Sequence, residues 1–375
     1  MIYLDNNATT PLDERVLEAM MPYLKHHFGN AASKHKFGLL ANNAVEKART
    51  QIGQLINCNE NEVIFTSGAT EAINLAIKGV AKASANKGNH IISVATEHYA
   101  VLDTCKYLEK SGYEVTYLSV KDDGLIDLEE FRVAFRTSTI LVSVMYVNNE
   151  TGVIQPIQKI AEITHQKGAI FMTDATQAVG KISLDVKKAD IDLLAFSGHK
   201  FYAPKGIGAL YVESRNSRKV KLDAIIHGGG HEKGLRSGTL NVPFLVGLGK
   251  ACELAKKEMN ENQKYVQNIR DYFESRILEL KGIKINGNQD YRLFNVSNVQ
   301  IENMDADELM LRMPNIMFSN GSACTSALIE PSHVLTAMGL SEKAAFSSFR
   351  FSFGKENNLS EVNKLMEGLR KVLGF

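Results

Sequence analysis

Short runs of apolar, largely β-branched residues alternate with longer segments of helical periodicity along the first half of the chain. The pattern predicts β-strands at Val63–Thr66, His90–Val94, Glu114–Leu118, 139–147, 169–173 and Leu193–Ser197. Successive strands begin 24 to 30 residues apart, which leaves room for a helix between each pair. Strands and helices that alternate at this spacing predict an α/β fold, in which helices cover both faces of a large, mostly parallel sheet.

Two further features extend this pattern toward the C-terminus. The run Gly208–Val212 follows the sixth strand after a short loop and is therefore expected to be antiparallel to it. A charged segment of helical pattern from Val242 to about residue 281 predicts a long connecting helix, followed by a smaller α+β domain. We expect a large domain over residues 1–254, whose first 14 residues pack beside the smaller domain, and a small domain over residues 255–375.

Composition and charge narrow the kind of protein. Of the 375 residues, 44% are hydrophobic and 23% are charged, which is ordinary for a globular protein. A formal net charge of +1 and the lack of a basic stripe predict no nucleic-acid partner. No apolar run reaches the roughly 18 residues of a membrane helix, and the N-terminal segment lacks the pattern of a signal peptide. We therefore expect a cytoplasmic protein that binds small molecules and other proteins, with no membrane partner.

The four cysteines, Cys58, Cys105, Cys252 and Cys324, are scattered along the chain. They form no CxxC pair and show no spacing typical of a metal site, so we expect no intrinsic metal centre. Scattered free cysteines suit a reducing cytoplasm.

The segment from Ser67 to Thr70 follows a predicted strand and opens a predicted helix. Small residues at this position leave backbone N–H groups free, and the helix dipole favours an anion such as a phosphate. On these residues alone, a simple helix cap is the commoner explanation.

Two other strand ends carry reactive side chains. Asp174 follows the run 169–173, where its carboxylate would favour the protonated form of a heteroaromatic nitrogen. Lys200 comes 26 residues later, and a lysine above an apolar sheet has the lowered pKa that Schiff-base chemistry needs. A turn aspartate and a surface lysine are the alternatives, and Lys205 is a competing lysine. Together with the candidate phosphate site from Ser67 to Thr70, these residues fit a pyridoxal phosphate site.

Eight motifs in this order resemble those of the cysteine desulfurases: LDNNATTP, FTSGATE, TEH, VNNETG, TDATQAVGK, SGHKFYAPKGIGALY, HGGGHEKGLRSGTLN and SNGSACTSALIEPSHVL. That family is part of the fold-type I pyridoxal-phosphate enzymes, aminotransferase class V. The similarity runs from Tyr3 to about Gly354, and the segment after GSAC resembles the long-loop branch. It implies a homodimer with shared active sites that removes sulfur from L-cysteine, with pyridoxal 5'-phosphate as cofactor and L-alanine as product.

The resemblance also assigns residues to the cofactor. The set comprises Ala69, Thr70, Asn149, Asp174, Gln177, Ser197, His199, Lys200 and Thr239. By the resemblance, Lys200 is the Schiff-base lysine, Asp174 pairs with the ring nitrogen and Gln177 bonds to the ring hydroxyl. Thr239 is implied to reach the phosphate in the neighbouring subunit.

The remaining roles implied by the resemblance concern the substrate. Asn30, Asn149 and Arg350 are implied to position it, and the planar fork of an arginine suits an α-carboxylate. His98 is implied to stack on the ring and to carry protons near the sulfur. The alternative for His98 is a plain histidine at a helix start.

Cys324 lies among small polar residues that predict a surface loop. The resemblance implies that its thiolate takes the sulfur as a persulfide and passes it to an acceptor protein, for iron–sulfur cluster assembly or thiolation. Cys324 is then also a candidate transient cluster ligand. A selenocysteine lyase, another class V aminotransferase and a non-catalytic sulfur-carrier platform remain as alternative functions.

Overall fold

A computed structural model of the chain describes residues 1–214, 220–320 and 330–374. The strands are β1 (Ile2–Tyr3), β2 (Val63–Thr66), β3 (His90–Val94), β4 (Glu114–Leu118), β5 (Thr139–Ser143), β6 (Ile170–Asp174), β7 (Leu193–Ser197), β8 (Gly208–Val212), β9 (Ile283–Asn286), β10 (Val296–Ile301), β11 (Ile316–Met317) and β12 (Ser348–Ser352). The helices are α1 (Glu14–Lys25), α2 (Lys36–Ile56), α3 (Ala69–Ala83), α4 (Tyr99–Glu109), α5 (Leu128–Val133), α6 (Ile157–Gln166), α7 (Val242–Ile277), α8 (Ala306–Arg312), α9 (His333–Ala337), α10 (Glu342–Phe346) and α11 (Leu359–Leu373).

Seven strands form the large sheet, in the order β2-β8-β7-β6-β5-β3-β4. The neighbours from β7 to β4 are parallel, whereas β8 is antiparallel to both β7 and β2. The mostly parallel sheet and the antiparallel β8 are therefore confirmed. The strand predicted over 139–147 ends earlier, at Ser143, and its pairing with β3 ends at Val142. Beyond that point the N–H of Met145 donates to the buried side chain of Glu97 instead of to a strand.

Alternate residues of the central strands pack on opposite faces of this sheet. Phe171 and Leu194 belong to the core on one face, whereas Met172 and Leu193 belong to the core on the other. Residues of α3 fill the second core, and residues of α2 and α7 fill the first. Burial on both faces explains why these strands are continuously apolar rather than alternating in polarity.

The longest helix, α7, has 36 residues and matches the predicted connecting helix. It packs against α1 and α2, and it passes through the domain boundary proposed at residues 254 and 255, which stays a prediction. In the described part of the chain, no helix combines the length and the apolar character needed to cross a membrane.

The C-terminal part of the chain builds a three-stranded antiparallel sheet in the order β12-β10-β9. The N-terminal strand β1 pairs in parallel with β11, and Asp5 bridges to Ser352 of β12. The first residues of the chain therefore lie between the small sheet and the carboxyl-end edge of the large one.

A buried ion pair ties the segment after β8 to the large sheet. The guanidinium of Arg49 bonds to both carboxylate oxygens of Glu232, to the carbonyl of Val63 at 2.7 Å and stacks on the ring of Phe65 at 4.5 Å. Glu232 also accepts the backbone N–H of Phe65 at 2.8 Å. A pair that is buried and fully bonded is costly to break from one side, because the remaining charge stays in the protein interior.

Replacing Glu232 by Ala should lower the free energy of unfolding by about 3 to 5 kcal/mol, because Arg49 would keep a buried, poorly compensated charge. Glu46→Ala is the matched control, since Glu46 also pairs with Arg49 but its side chain is 50% exposed. That change should cost less than about 1 kcal/mol. Urea unfolding of both variants measures the two losses in the free energy of unfolding. Equal losses would show that the buried pair stabilises the fold no more than the exposed one.

Candidate active site

A cavity of ≈ 620 Å³ lies at the carboxyl ends of the parallel strands, the edge where open α/β sheets hold their ligands. Ten of the predicted site residues line it: Ala69, Thr70, His98, Asn149, Asp174, Gln177, Ser197, His199, Lys200 and Arg350. Asn30 and Thr239 are exposed and do not line it. Cys324 lies outside the described residues.

One end of the cavity is formed by the N-terminus of α3. Gly68 is the N-cap and has no side chain to accept a hydrogen bond, so the first N–H groups of the helix lack a side-chain cap. Ser197 and His199 line the same region, and burial lowers the pKa of His199 to about 4, so its imidazole is neutral. Open N–H groups, a hydroxyl and a neutral imidazole form a donor set suited to an anion.

A close backbone approach shapes this end of the cavity. A side-chain carbon at Gly208 would lie 2.4 Å from the carbonyl oxygen of Phe196 and 2.8 Å from the α-carbon of Gly68. Any larger residue at position 208 would therefore push the helix start away from the sheet.

Asp174 ends β6 and is buried at the floor of the cavity. Its Oδ1 accepts from both the backbone N–H and the hydroxyl of Thr176, at 2.9 and 2.5 Å. Within the described chain, no hydrogen-bond donor reaches Oδ2. This arrangement fixes the carboxylate and leaves one oxygen available to a ligand.

Lys200 follows β7 and points toward the N-terminal segment. Its Nζ donates to the carbonyl oxygens of Asn7 and Ala8, at 2.8 and 2.7 Å. Burial, and then the charge of Arg350, lower the pKa of Lys200 to about 8, although Asp174 acts in the opposite direction. A lysine with this pKa has an appreciable share of nucleophilic neutral amine near neutral pH. Lys205 also lines the cavity.

Arg350 stands on β12, so the small sheet supplies one wall of the cavity. It donates to Asp5 Oδ1 at 2.7 Å and to the carbonyl oxygen of Asn149 at 3.0 Å. Its Nε is buried and has no partner among the described residues. The contacts with Asp5 and Asn149 hold the guanidinium in the cavity wall, where its planar fork suits a ligand carboxylate.

His98 lies at the N-cap of α4, where its Nδ1 accepts the N–H of Ala100 at 3.0 Å. The alternative prediction, a histidine at the start of a helix, is therefore correct for the hydrogen bonding of His98. The same side chain also lines the cavity, and the Nδ1 bond leaves Nε2 for a proton-transfer role.

Two carboxyl groups near the cavity belong to the motifs but not to the predicted site residues. Glu97, in TEH, is fully buried, and burial and the charge of Asp174 raise its pKa well above the ordinary value. Glu150, in VNNETG, lines the cavity, and burial raises its pKa to about 7. Their presence beside motif residues was visible in the sequence, but their burial was not.

Both flanks of the segment 321–329, which contains Cys324, are attached to the cavity wall. On one side, Ser319 exchanges two backbone hydrogen bonds with Arg350, at 3.1 and 2.6 Å. On the other side, the hydroxyl of Ser332 donates to Glu150 at 2.5 Å, and His333 Nε2 donates to the carbonyl oxygen of Glu97 at 2.9 Å. Ser319 and His333 line the cavity themselves.

The family model of aminotransferase class V matches residues 2–365. The cysteine desulfurase IscS of Dechloromonas aromatica (strain RCB) is 48% identical over 375 residues, which cover 100% of this chain and 92% of that protein. The cysteine desulfurase IscS of Mannheimia succiniciproducens is 50% identical, with coverage of 99% and 92%.

Solved structures agree with these relatives. A NifS-like protein superimposes with a TM-score of 0.93 at 36% identity, covering 100% of this chain and 99% of that chain. The structure titled SspA in complex with cysteine has a TM-score of 0.84 at 39% identity, covering 96% and 100%. The chain belongs to the aminotransferase class V family. Within that family it belongs with the cysteine desulfurases, so the predicted fold and family are confirmed.

The amine of Lys200 should titrate near pH 8 in the cofactor-free protein, because burial and Arg350 disfavour its ammonium form. At pH 8 about half of it would be neutral, which is roughly 100-fold more than for an ordinary lysine of pKa ≈ 10.4. Trace labelling with an amine-reactive reagent at a series of pH values, followed by peptide mass analysis, measures this. In denaturant the same lysine should titrate in the ordinary range, and identical curves in both states would refute the prediction.

Proposed function

We propose that the protein is a pyridoxal-phosphate-dependent cysteine desulfurase that converts L-cysteine into L-alanine and leaves the sulfur as a persulfide on Cys324. The observation that carries this proposal is that Lys200, Asp174 and the open N-terminus of α3 line one cavity. These are the three groups that a pyridoxal phosphate site requires, in a chain that belongs with the cysteine desulfurases.

The groups around the cavity fit the cofactor. The phosphate would be held by Ala69, Thr70, Ser197 and His199, at a helix start without a side-chain cap. The free oxygen of Asp174 would face the ring nitrogen, the amide of Gln177 would face the ring oxygen, and Lys200 would hold the aldehyde. When bound, pyridoxal phosphate supplies an electron-withdrawing ring that accepts charge from the α-carbon of the substrate.

Lys200 would also handle the proton of the substrate α-carbon. Its pKa of about 8 lies close to neutral pH, and a general base works best when its pKa is near the operating pH. The neutral amine can take a proton, and the ammonium can return one to the product carbon. The carbonyl groups of Asn7 and Ala8 are positioned to hold the ammonium while it carries that proton.

The substrate carboxylate would bind at Arg350. The guanidinium of this residue lines the cavity and is held there by Asp5 and by the Asn149 carbonyl, so its planar fork is positioned for a carboxylate. The likeness to SspA in complex with cysteine favours cysteine as the amino acid. Asn30 stays a proposed substrate contact on the resemblance alone, because its side chain lies outside the cavity in this chain.

Two observations support Cys324 as the sulfur acceptor. Both flanks of its segment are fixed to the cavity wall, at Arg350 and at Glu150. The other three cysteines are poor candidates, since burial raises the pKa of Cys58 and Cys105 to about 12 and that of Cys252 still further. In the overall reaction, the carbon–sulfur bond of cysteine breaks, a sulfur–sulfur bond forms at Cys324, and the thiol proton ends on the alanine methyl group. His98 would carry that proton.

We further propose a cytoplasmic homodimer whose subunits share their sites. Thr239 is exposed in the single chain and is therefore available to a partner. An apolar group of Phe28, Phe37, Leu39 and Leu40 is also exposed, which is unusual for a surface that meets only water. Delivery of the persulfide sulfur to an iron–sulfur scaffold or a thiolation protein completes the proposed function.

Changing Cys324 to Ala should reduce alanine formation from L-cysteine by at least about 100-fold, because loss of a nucleophile removes the reacting atom itself. The bound cofactor and its visible absorbance should remain. Incubation with L-cysteine, amino-acid analysis of alanine and peptide mass analysis of the persulfide measure the effect.

Cys58→Ser is the matched control, since it removes a partly buried thiol outside the cavity and should leave both readouts unchanged. Persulfide formation that persists in the Cys324 variant would overturn the assignment. A keto acid in place of alanine would instead identify an aminotransferase. In a parallel incubation with L-selenocysteine, release of selenide together with little reaction on L-cysteine would identify a selenocysteine lyase.

Sharing of sites can be tested with hybrid dimers. Lys200→Ala should be inactive, and Thr239→Ala should bind the cofactor more weakly because its phosphate loses a hydrogen bond. In a hybrid of the two chains, one site combines the intact Lys200 of one subunit with the intact Thr239 of the other. At limiting cofactor the hybrid should reach about half of the wild-type activity, with one of two sites intact. Activity no higher than the mean of the two parents would exclude a role for Thr239 across the interface.

A further inference from the structure

Lys181 is a buried lysine to which the proposed function gives no role. Its side chain is only 8% exposed, and within the described ranges no carboxylate pairs with it. The Nζ donates to Gln177 Oε1 at 2.6 Å and to Asn7 Oδ1 at 3.0 Å. Lysines are rarely buried without a countercharge, so this placement needs an explanation.

The protonation state of Lys181 agrees with these two bonds. Burial, followed by the charges of Lys200 and Arg350, holds its pKa well below the ordinary value. A neutral amine has two N–H groups, and the structure provides two acceptors for them. The lowered pKa favours the neutral amine, which repels Lys200 less than a second ammonium group would.

The bond to Gln177 determines which end of that amide can donate. Because Lys181 occupies Oε1, the NH2 end of Gln177 points toward the carbonyl oxygen of Asn7, at 2.8 Å. Without a donor at Oε1, the amide could rotate by half a turn and place an acceptor where a donor now stands. The second N–H of Gln177 stays available to an acceptor in the cavity.

The bond to Asn7 fixes the carbonyl group that Lys200 uses. Lys181 and Asn295 both donate to Asn7 Oδ1, at 3.0 and 3.2 Å, and the N–H of Asn7 donates to Ser352 Oγ at 2.9 Å. The carbonyl oxygen of the same residue accepts from Lys200 Nζ at 2.8 Å. Lys181 is thus linked to Lys200 through a single residue.

We propose that Lys181 is a positioning residue, which orients the amide of Gln177 and the carbonyl of Asn7 for Lys200 and for the ring oxygen of the cofactor. The role at the cofactor ring rests on the proposed function. The first measurement, the pKa of Lys200 in the cofactor-free protein, does not depend on it. Lys181 touches neither substrate nor cofactor and acts through its two acceptors.

Lys181→Met is the main variant, because its unbranched side chain is only one atom shorter than that of lysine and has no N–H donor. Lys181→Gln keeps an NH2 group with two donors, and Lys188→Met is the matched control at an exposed position of the same region. In the full-length, cofactor-free protein, trace labelling across pH reports the pKa of Lys200. With Lys181→Met we expect this pKa to rise by about one unit, since a loosened Asn7 segment admits water to the amine. The fraction labelled at pH 7 should fall about tenfold.

The second readout is the visible absorbance of bound pyridoxal phosphate as a function of pH. Lys181→Met should shift the absorbance maximum or its pH midpoint, because the ring oxygen loses a properly oriented donor. Lys181→Gln should restore most of both readouts, and Lys188→Met should match the wild type. A change that reflects only poorer folding would lower the melting temperature without rescue by Gln.

The outcomes separate this inference from the proposed function. Labelling and absorbance curves of Lys181→Met that overlay those of the wild type would overturn the positioning role. If Lys181→Met does not fold, failure of the folded Lys181→Gln variant to keep the wild-type curves would overturn it as well. A wild-type protein that forms no alanine from L-cysteine would refute the desulfurase proposal, while the Lys200 labelling would still decide the role of Lys181.

Discussion

The carbonyl oxygen of Asn7 accepts hydrogen bonds from both Lys200 and Gln177, and the arrangement of the cavity depends on it. These partners are 193 and 170 residues away in the chain, so the N-terminal segment closes the site only when both sheets are in place. β1 is paired to β11 and the N–H of Asn7 is bonded to Ser352, which anchors the segment to the small sheet. The N-terminal segment is therefore held against both sheets, where its Asn7 and Ala8 carbonyls cover the amine of Lys200. Burial in this position makes the amine less basic.

The architecture of the large sheet followed from the sequence because its signals are local. Strands β3, β5 and β7 are buried along their whole length and β6 nearly so, and they appear in the sequence as short, largely apolar runs, whereas the edge strand β4 is partly exposed. A helix separates each parallel strand from the next except between β6 and β7, where the spacing left room for one but the described chain forms none. The antiparallel direction of β8 followed from its short connection to β7. The early end of β5 had no local signal, since the group that takes the N–H of Met145 just beyond it is the side chain of Glu97, 48 residues away in the chain.

The candidate site was predictable where strand ends and motifs placed single residues, as for Lys200 and Asp174. It was not predictable where burial decides the chemistry. Lys181 stands four residues after Gln177, so their contact is local. That no carboxylate among the described residues pairs with Lys181 is visible only in three dimensions. Glu150 likewise gains its pKa of about 7 from burial, against a hydrogen bond from Ser332, which lies 182 residues away. Sequence spacing carries no information about such desolvation.

The charges at the cavity restrict what it can hold. Arg350 and Lys200 bring positive charge to the cavity, although burial lowers the pKa of Lys200 to about 8. Burial and these two charges hold the pKa of Lys181 well below its ordinary value, which favours its neutral form. Burial also favours the uncharged forms of Glu97 and Glu150, so these carboxyl groups add little negative charge to the walls. The other carboxylates that line the cavity are Asp174, Asp5, which pairs with Arg350, and Glu71, which pairs with Arg236. Of these three, Asp174 has no arginine or lysine partner among the described residues. A cofactor and substrate that together carry a phosphate, a cationic ring nitrogen and a carboxylate match these groups, because the phosphate would meet the helix start, the ring nitrogen would meet Asp174 and the carboxylate would meet Arg350.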